Sequence, residues 1–479
     1  MASDTDLSTI SGAAAALRAR TVTAVELLEA ATATADAWEP YLGVYLERFV
    51  ETSTARARGA DAELAAGVDR GPLHGIPLGI KDIIATHEGP TTAQSLILDP
   101  AWGRRPDAPV VARLRDAGAV ITGKLTTCEF AIGFPDDSKP FPVPRNPWDT
   151  STWPGGSSSG SGAGVAAGMF LGALGTDTGG SVRMPAAYCG ITGLKATYGR
   201  VPKSGCVPLG YTLDGIGPMA RSARDCALML SVMAGPDADD PTAVTLPVDD
   251  YAAALTGRLD GVRIGVDRLA RFGDVDPSLP GLMDAAIAAL REAGAEVVDV
   301  ELPLYEELVT AQMITMQVES AAYHLPDMQS RWSDYGAGAR FFIGGGALVP
   351  GTDYVQAQRA RRLGQQLIAA LFDTVDLVVT PSCTWPSPAV ADLDPLHPMD
   401  SLKGLHTQYW NSVGNPTLSV PIGFTAAGLP MGMQISGRPF ADGAVLAAGD
   451  AYQQLTDWHL RVPAPASISL AADPVLAQA

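Results

Sequence analysis

The 479-residue sequence has few cysteines, a deficit of basic residues and no long apolar run. Its five cysteines are an odd number without a CxxC pair, which favours reduced packing residues over a disulfide framework or a zinc site. No apolar run reaches the roughly 18 residues expected of a membrane-spanning helix. The acidic N-terminal residues 1–6 also lack the basic and apolar regions of a signal peptide. These absences predict a cytoplasmic protein without a membrane anchor.

The sequence has fewer basic than acidic residues. Its 33 Lys and Arg and 52 Asp and Glu give a formal net charge of −19. An acidic surface disfavours contact with nucleic acid phosphates and anionic membranes. The composition therefore predicts no nucleic acid partner and no membrane partner. We also expect a small-molecule substrate and a monomer or homodimer. With 47% hydrophobic residues the chain can bury a large core, and we expect a single domain over residues 1–479.

Metal and cofactor motifs are missing as well. The six histidines form no HExxH or paired spacing, and no GxxxxGK[ST] phosphate loop is present. Residues 162–167 match a loose GxGxxA pattern, but no clear strand precedes them and no acidic residue follows at the required distance. We predict no metal and no cofactor. A Ser–His–Asp site would require the fold to bring one of the histidines to a serine.

Alternating helix and strand patterns predict an α/β fold with a large mixed central sheet flanked by helices on both faces. Thr23 and Glu26 form a capping box that opens a helix. Residues 261–266, a helix with Met283, Ile287 and Leu290 on one stripe, and a strand over 296–300 together indicate one βαβ unit. The other predicted elements are a helix over 107–117, strands over 119–124 and 376–381, and a loop within the domain over 236–247.

Three glycine-rich segments carry the residues of a hydrolase. They are residues 75–82 with Lys81, residues 154–160 with three consecutive serines, and residues 175–183 with Ser181. A serine hydroxyl needs an adjacent base, and lysine is a base only if its pKa falls by roughly 3 units. Burial can supply such a shift, and residues 71–80 before Lys81 are almost uncharged. A second serine between base and nucleophile can relay the proton, because a hydroxyl both accepts and donates.

Each segment also has an ordinary structural interpretation. The Gly-Ser run over 155–164 has the composition of a flexible linker, and Lys81-Asp82 alone fits a surface ion pair. The apolar small-residue stretch over 165–174 belongs in a core, however, and does not continue a tether. The joint occurrence of the three segments favours the catalytic interpretation.

The three segments resemble the amidase signature family, whose enzymes cleave C–N bonds with a Ser–Ser–Lys triad. The resemblance is most specific over 155–183, is expected to include a signature core over about 71–225, and extends to segments 411–421 and 428–437. It implies Lys81 as base, Ser157 as relay on a cis peptide bond, and Ser181 as nucleophile. The backbone N–H groups that it implies for the oxyanion hole are those of Thr178, Gly179, Gly180 and Ser181.

One position departs from the family pattern. The family loop usually has glycine where this chain has Ser159, which adds a side chain to a tight loop. Ser157 and Ser158 therefore both stay candidates for the relay, with Ser158 otherwise a supporting residue, and Ser159 is free to hydrogen-bond locally.

The substrate is inferred from apolar residues after the strand at Lys124 and from a variable region over about 305–370. The candidate walls are Phe130, Ala131, Ile132 and Gly133, and further along Met313, Met316, Tyr323, Trp332, Tyr335 and Phe341. Core packing is the alternative role for each. An apolar pocket suits neutral aryl or bulky acyl amides cleaved through an acyl-enzyme, and family members also cleave esters and carbamates (urethanes).

Three functional hypotheses follow. We favour a stand-alone amidase or carbamate hydrolase, because the middle region is apolar where a glutamine site should offer charged groups. The alternative is the glutaminase subunit of a tRNA-dependent amidotransferase, which needs partner subunits. The third is a catalytically silent binding protein, which predicts no covalent labelling at Ser181.

Overall fold

The computed structural model describes residues 6–402 and 404–464, apart from the side chain of Met399. Within them an 11-stranded mixed sheet runs through the molecule. Its strands are β1 (Tyr45–Arg48), β2 (Pro77–Lys81), β3 (Val120–Leu125), β4 (Gly172–Asp177), β5 (Thr192–Lys195), β6 (Gly215–Ala220), β7 (Arg263–Val266), β8 (Glu296–Asp299), β9 (Leu377–Pro381), β10 (Thr417–Phe424) and β11 (Pro430–Gly437).

The sheet is antiparallel in its centre and parallel towards both ends. The strand order is β1-β3-β2-β4-β6-β5-β10-β11-β9-β7-β8. Neighbouring strands are parallel from β3 through β2 to β4 and from β9 through β7 to β8, whereas all other neighbours are antiparallel. This arrangement agrees with the mixed sheet expected from the sequence.

Fifteen α-helices accompany the sheet in the described ranges. They are α1 (Ile10–Ala19), α2 (Ala24–Leu42), α3 (Val50–Ala65), α4 (Pro100–Gly103), α5 (Pro109–Asp116), α6 (Ser159–Ala167), α7 (Arg183–Cys189), α8 (Ala223–Met233), α9 (Leu279–Glu292), α10 (Tyr305–Arg331), α11 (Ala337–Gly346), α12 (Gly351–Leu371), α13 (Pro398–Ser401), α14 (Gln408–Val413) and α15 (Asp442–Gln454).

Local sequence accounts for the elements that were predicted. Thr23 accepts a hydrogen bond from the Glu26 N–H, while the Glu26 carboxylate accepts one from the Thr23 N–H, so the capping box opens α2. The apolar stripe of α9, namely Met283, Ile287 and Leu290, is buried. Helix α9 connects β7 to β8, which are parallel neighbours, so the βαβ unit is present.

Helices cover both faces of the sheet. A side chain at Gly449 of α15 would contact Leu418 and Val420 of β10. Gly432 of β11 pairs with Pro421, the residue after Val420 in β10, and lies against Ala187 of α7. Since successive residues of a strand point to opposite faces, α15 and α7 pack on opposite sides.

The topology also places the predicted site. Strands β2 and β4 are parallel neighbours, so their carboxyl ends lie at the same edge of the sheet. Strand β2 ends at Lys81, and β4 ends at Asp177, just before the turn that carries Ser181. The serine loop precedes α6, which packs on both strands.

No helix in the described ranges is both long and apolar enough to cross a membrane. The single-domain organisation over residues 1–479 stays a prediction.

Candidate active site

Lys81 lies at the centre of a cluster of buried hydroxyl groups. Its side chain is completely inaccessible to solvent. The Nζ atom donates to the hydroxyl oxygens of Ser157 at 2.7 Å, Ser158 at 3.0 Å and Thr176 at 2.8 Å. The structure therefore brings together the lysine and both candidate relay serines, and it adds a threonine as a third partner.

The environment of Lys81 favours the neutral amine. Burial lowers the pKa of Lys81 to about 7, and the nearby Cys128, Cys206, Asp177 and Asp214 only partly oppose this shift. Desolvation disfavours a charged ammonium when the surrounding partners are neutral hydroxyl groups. A substantial fraction of neutral lysine is thus present near neutral pH, as a general base requires.

The two serines bonded to Lys81 differ in the other partners of their hydroxyl groups. The Ser158 hydroxyl accepts from the Thr176 N–H at 3.2 Å and donates to the Thr176 carbonyl at 3.3 Å. Its two lone pairs and its proton are therefore all engaged. Among the described residues Lys81 is the one hydrogen-bond partner of the Ser157 hydroxyl, so Ser157 has capacity left for a second partner.

The Ser157 segment has the backbone features expected of it. The Gly156–Ser157 peptide bond is cis. Ser159, the residue that departs from the family pattern, donates its hydroxyl to the Gly155 carbonyl at 2.7 Å. Ser159 thus hydrogen-bonds locally, and its side chain is held within the loop.

Asp177 holds the turn that carries Ser181. Its carboxylate accepts from the N–H groups of Gly180 at 2.8 Å and Val182 at 3.2 Å. It also accepts two hydrogen bonds from Arg183, both at 2.9 Å, and one from Asn411 at 2.8 Å. Burial alone would raise the pKa of Asp177, but the charge and hydrogen bonds of Arg183 outweigh it and hold the pKa at about 2. The carboxylate is therefore ionised at neutral pH and organises the turn.

The structure also distinguishes the N–H groups of this turn. The Gly180 N–H donates to Asp177, so it is not free to stabilise an oxyanion, in contrast to the sequence expectation. In the described part of the chain the N–H groups of Gly179 and Ser181 have no acceptor. Gly179 and Ser181 are also partly exposed, whereas Thr178 and Gly180 are buried. The Thr178 N–H likewise has no described acceptor but belongs to a buried residue, so the turn offers two free donors on partly exposed residues beside the Ser181 side chain.

Replacing Asp177 by alanine should destabilise the protein by about 3–5 kcal/mol, because it leaves the fully buried Arg183 without its counter-ion. Thermal unfolding followed by circular dichroism measures this effect. The matched control is Asp260→Ala, which removes an equally direct partner of Arg258 at an exposed position and should change the melting temperature little. Equal melting temperatures for the two variants would contradict the role assigned to Asp177.

The histidines are bonded away from this cluster. Five of them pair with other side chains: His74 with Glu63, His87 with Asp107, His324 with Tyr335, His397 with Asp394 and His406 with Tyr305. Burial lowers the pKa of the sixth, His459, to about 4. In the described ranges no histidine hydrogen-bonds a serine of the site, so the geometry gives no support to a Ser–His–Asp arrangement.

The segment from Phe130 to Gly133 packs between the site and the long helices. The Cys128 N–H donates to the Ser157 carbonyl at 3.3 Å, which joins this segment to the serine loop. Phe130 and Ala131 adopt positive φ angles of 49° and 63°. Phe130 contacts the ring of His324 at a centroid distance of 4.3 Å. Ile132 is buried. Packing against α10 accounts for Phe130, and substrate contact by this segment stays a prediction.

The apolar residues of the middle region do not form one wall. Tyr323, Trp332 and Phe341 are 41%, 46% and 42% exposed. Met316 packs in the core and Tyr335 bonds to His324. The last candidate, Met313, is partly buried against the core. The composition of this region therefore carries little information about the substrate.

Sequence reasoning missed Thr176 and Asn411, and it assigned no role to Asp177. Thr176 and Asp177 occupy the last two positions of β4, where polar residues follow a small apolar run. That position was the available signal. Asn411 lies 234 residues from Asp177, and no local pattern predicts such a contact.

Comparison with known proteins gives one family and consistent relatives. The model of the family described as Amidase matches residues 26–446. A glutamyl-tRNA(Gln) amidotransferase subunit of Chloroflexus aggregans is 42% identical over 486 residues, covering 95% of this chain and 98% of its own length.

Solved structures agree with this comparison. The peptide amidase of Stenotrophomonas maltophilia superposes with a TM-score of 0.81 at 30% identity, covering 95% of this chain and 98% of its own. The corresponding glutamyl-tRNA(Gln) amidotransferase subunit of Thermotoga maritima superposes with a TM-score of 0.74 at 30% identity, covering 91% and 95%.

These relatives correct two of the sequence expectations. A stand-alone hydrolase of neutral aryl or bulky amides, esters or carbamates was wrong, because nearly full-length curated relatives are subunits of an amidotransferase. The partner prediction of a small-molecule substrate, no nucleic acid and a monomer or homodimer was wrong for the same reason. The apolar middle region misled the first inference, since its exposed and core residues form no common wall. Net charge misled the second, because an average over a whole chain does not describe the charge of any one surface.

Proposed function

The chain belongs to the amidase family of enzymes that act on C–N bonds, and on that basis we propose that it is the glutamine-hydrolysing subunit of a tRNA-dependent amidotransferase. The observation that carries this proposal is the 42% identity to an amidotransferase subunit over nearly the full length of both chains. The family match over residues 26–446 includes the lysine, serine and nucleophile segments.

In the proposed reaction Lys81, Ser157 and Ser181 form the catalytic triad. Neutral Lys81 donates its two N–H groups to Ser158 and Thr176, which directs its lone pair to the Ser157 hydroxyl. Ser157 passes its proton to Lys81 and takes the proton of Ser181 as Ser181 attacks the side-chain carboxamide of glutamine. Ser157 suits the relay better than Ser158, because the Ser158 hydroxyl is already bonded to Thr176.

The negative oxygen of the tetrahedral intermediate is assigned to the N–H groups of Gly179 and Ser181. These donors are held in place before the reaction, so they stabilise the charge as it develops. The C–N bond then breaks, and the proton returns from Lys81 through Ser157 to the departing nitrogen, which leaves as ammonia. Water attacks the glutamyl ester of Ser181 by the same proton path and releases glutamate.

Charged side chains border the turn and support a charged amide donor. A cavity of about 180 Å³ adjoins Thr176 and Thr178 and includes Lys203, Asp214 and Asp240. Asp214 accepts from the Thr178 hydroxyl at 2.5 Å, which places its carboxyl group beside the turn. Glutamine carries an ammonium and a carboxylate beside its carboxamide, and side chains of both signs can recognise such a molecule.

Ammonia released here would be used by partner subunits to amidate glutamyl-tRNA. We place the reaction in the cytoplasm, where aminoacylated tRNA is found. The five free cysteines are compatible with that reducing compartment.

The proposal is tested by reconstituting this chain with the amidotransferase partner subunits of its own organism. We expect glutamine-dependent formation of glutaminyl-tRNA, with ammonia release that rises when the partners are added. The matched control is Ser181→Ala in the same complex, which should lose the glutamine-dependent reaction and keep the reaction with ammonium chloride. Hydrolysis of amides by the isolated chain, with no response to glutamine or to the partners, would overturn the proposal.

A further inference from the structure

Two side chains far from the turn in sequence contact the carbonyl groups of the candidate oxyanion hole. Gln312, in the first half of α10, donates its amide to the Thr178 carbonyl at 3.0 Å. Thr407, just before α14, donates its hydroxyl to the Gly179 carbonyl at 2.6 Å. Both Gln312 and Thr407 are completely buried, so these contacts are shielded from competing water.

A hydrogen bond that holds the C=O group of a peptide unit also fixes the direction of the N–H group in the same unit. In a trans peptide the C=O and N–H groups of one planar unit point in opposite directions. The Thr178 carbonyl belongs to the same unit as the Gly179 N–H. When Gln312 holds this carbonyl on one side, the Gly179 N–H must point to the other side, where it has no acceptor among the described residues.

The next peptide units of the turn are held in the same way. Thr407 holds the carbonyl of the Gly179–Gly180 unit, and Asp177 accepts from the N–H of that unit at 2.8 Å. The Gly180 carbonyl accepts from the Met184 N–H at 2.7 Å, which directs the Ser181 N–H away from α7. Every carbonyl from Thr178 to Gly180 therefore has a bound donor, while the N–H groups of Gly179 and Ser181 stay free of any described partner.

We infer that Gln312 and Thr407 are positioning residues of the oxyanion hole, which orient the Thr178–Gly179 and Gly179–Gly180 peptides so that the Gly179 N–H faces the reacting carbonyl. This inference rests on the catalytic role proposed for Ser181. It does not depend on glutamine as the acyl donor or on partner subunits.

The unused oxygen of Gln312 supports this role over simple packing. A carbonyl only accepts hydrogen bonds, so the amide nitrogen of Gln312 must face Thr178. The Oε1 atom of Gln312 is then buried without a hydrogen-bond partner in the described part of the chain. An unpaired buried acceptor costs stability, and a leucine would fill the same space without that cost. What glutamine supplies and leucine lacks is the amide N–H group that donates to the Thr178 carbonyl.

Gln312 and Thr407 pack tightly against the backbone of the turn and have little room to move. A Cβ atom added at Gly179 would lie 2.9 Å from Nε2 of Gln312, and one added at Gly180 would lie within contact distance of the Thr407 hydroxyl. The two side chains therefore abut the backbone of the turn directly. A shift of either side chain must be transmitted to the peptide units that it contacts.

The test uses the isolated full-length chain and phenylmethanesulfonyl fluoride, whose sulfonyl oxygen occupies the same site as an oxyanion. Intact-mass spectrometry gives the rate constant for modification of Ser181 as a function of pH. For Gln312→Leu we expect a plateau rate about 10- to 100-fold lower, a part of the roughly 10²- to 10³-fold effect of losing one donor. The inflection of the pH profile should not move, because the contacts of Lys81 are intact.

A control variant on α10 and two variants of Thr407 complete the test. Gln317→Leu is the matched control, since Gln317 lies half-buried on the same helix beside Gly345 and its variant should react like the wild type. Thr407→Val removes the second donor and should also slow the reaction, whereas Thr407→Ser keeps the hydroxyl and should restore most of the rate.

A rate for Gln312→Leu and Thr407→Val within about twofold of the Gln317→Leu control would overturn the inference. A shifted pH inflection would also overturn it, because the residues would then act through Lys81. If glutaminase activity is absent in the reconstituted complex but these rates behave as expected, the substrate proposal fails and the positioning role stands. If Ser181 is not modified in the wild-type chain at all, the catalytic assignment itself fails.

Discussion

Ser181→Ala should reduce glutamine hydrolysis by at least about 10⁴-fold while the protein stays folded, because no neighbouring group can replace the nucleophile. The Ser181 side chain makes none of the described hydrogen bonds that hold the turn together; those bonds involve the backbone carbonyls from Thr178 to Ser181 and the Asp177 carboxylate. Ammonia release by the complex measures the loss, and thermal unfolding verifies the fold.

The control for this prediction is another buried serine of the same region. Ser161 lies in α6 and donates its hydroxyl to the Leu174 carbonyl at 2.9 Å, without contact to Lys81. Ser161→Ala should therefore keep its activity. Peptide mapping after treatment with phenylmethanesulfonyl fluoride should locate the adduct on Ser181. An adduct on Ser157 or Ser158 would mean that the roles of nucleophile and relay are assigned wrongly.

Lys81→Ala should be nearly as damaging for amide substrates, since it removes the base and leaves three hydroxyl groups without their common partner. General-base catalysis contributes about 10²- to 10⁴-fold, and we expect a loss towards the upper end. Glutamine turnover and the reaction of phenylmethanesulfonyl fluoride should both decline. A histidine variant that abolishes activity, with Lys81→Ala still active on amides, would favour a Ser–His mechanism instead.

The pH dependence follows from the same lysine. Burial lowers the pKa of Lys81 to about 7, and the active form is the neutral amine. Activity should therefore rise as the pH increases through about 7 and fall below it as the ammonium forms. This inflection should be seen in a plot of kcat/KM against pH, because kcat/KM reports the ionisations of the free enzyme.

A second buried lysine provides the control for this profile. Burial also lowers the pKa of Lys195 to about 7, but the Lys195 Nζ donates to the Ala196 carbonyl and contacts no serine of the described site. Lys195→Met should leave the inflection in place. If the inflection disappears in Lys195→Met, then Lys195 and not Lys81 determines the pH dependence.

Much of the fold could be predicted from the sequence, because the relevant patterns are local. The capping box at Thr23, the stripe of α9 and the strand that contains Lys124 depend on residues a few positions apart. The burial of Lys81 could be predicted for a related reason. An uncharged run before Lys81 predicts burial, and burial lowers the pKa of an amine wherever the chain takes it.

The substrate and the partners could not be predicted from local sequence patterns. The apolar side chains of residues 305–370 were interpreted as a pocket, yet half of the named candidates are substantially exposed. A hydropathy pattern reports how many apolar residues a segment has. It does not report which of them share a surface, because that depends on how α10, α11 and α12 pack.

The sequence by itself determined the residue types of the candidate site: a lysine, two serines and a glycine-rich turn. The tertiary structure decided how these groups share hydrogen bonds. It engages Ser158 with Thr176 and leaves Ser157 available. It also brings Gln312 and Thr407 to the turn across 134 and 228 residues of chain. Local motifs record residue type and spacing, whereas the direction of a free N–H or a spare lone pair depends on partners that only the folded chain brings into contact.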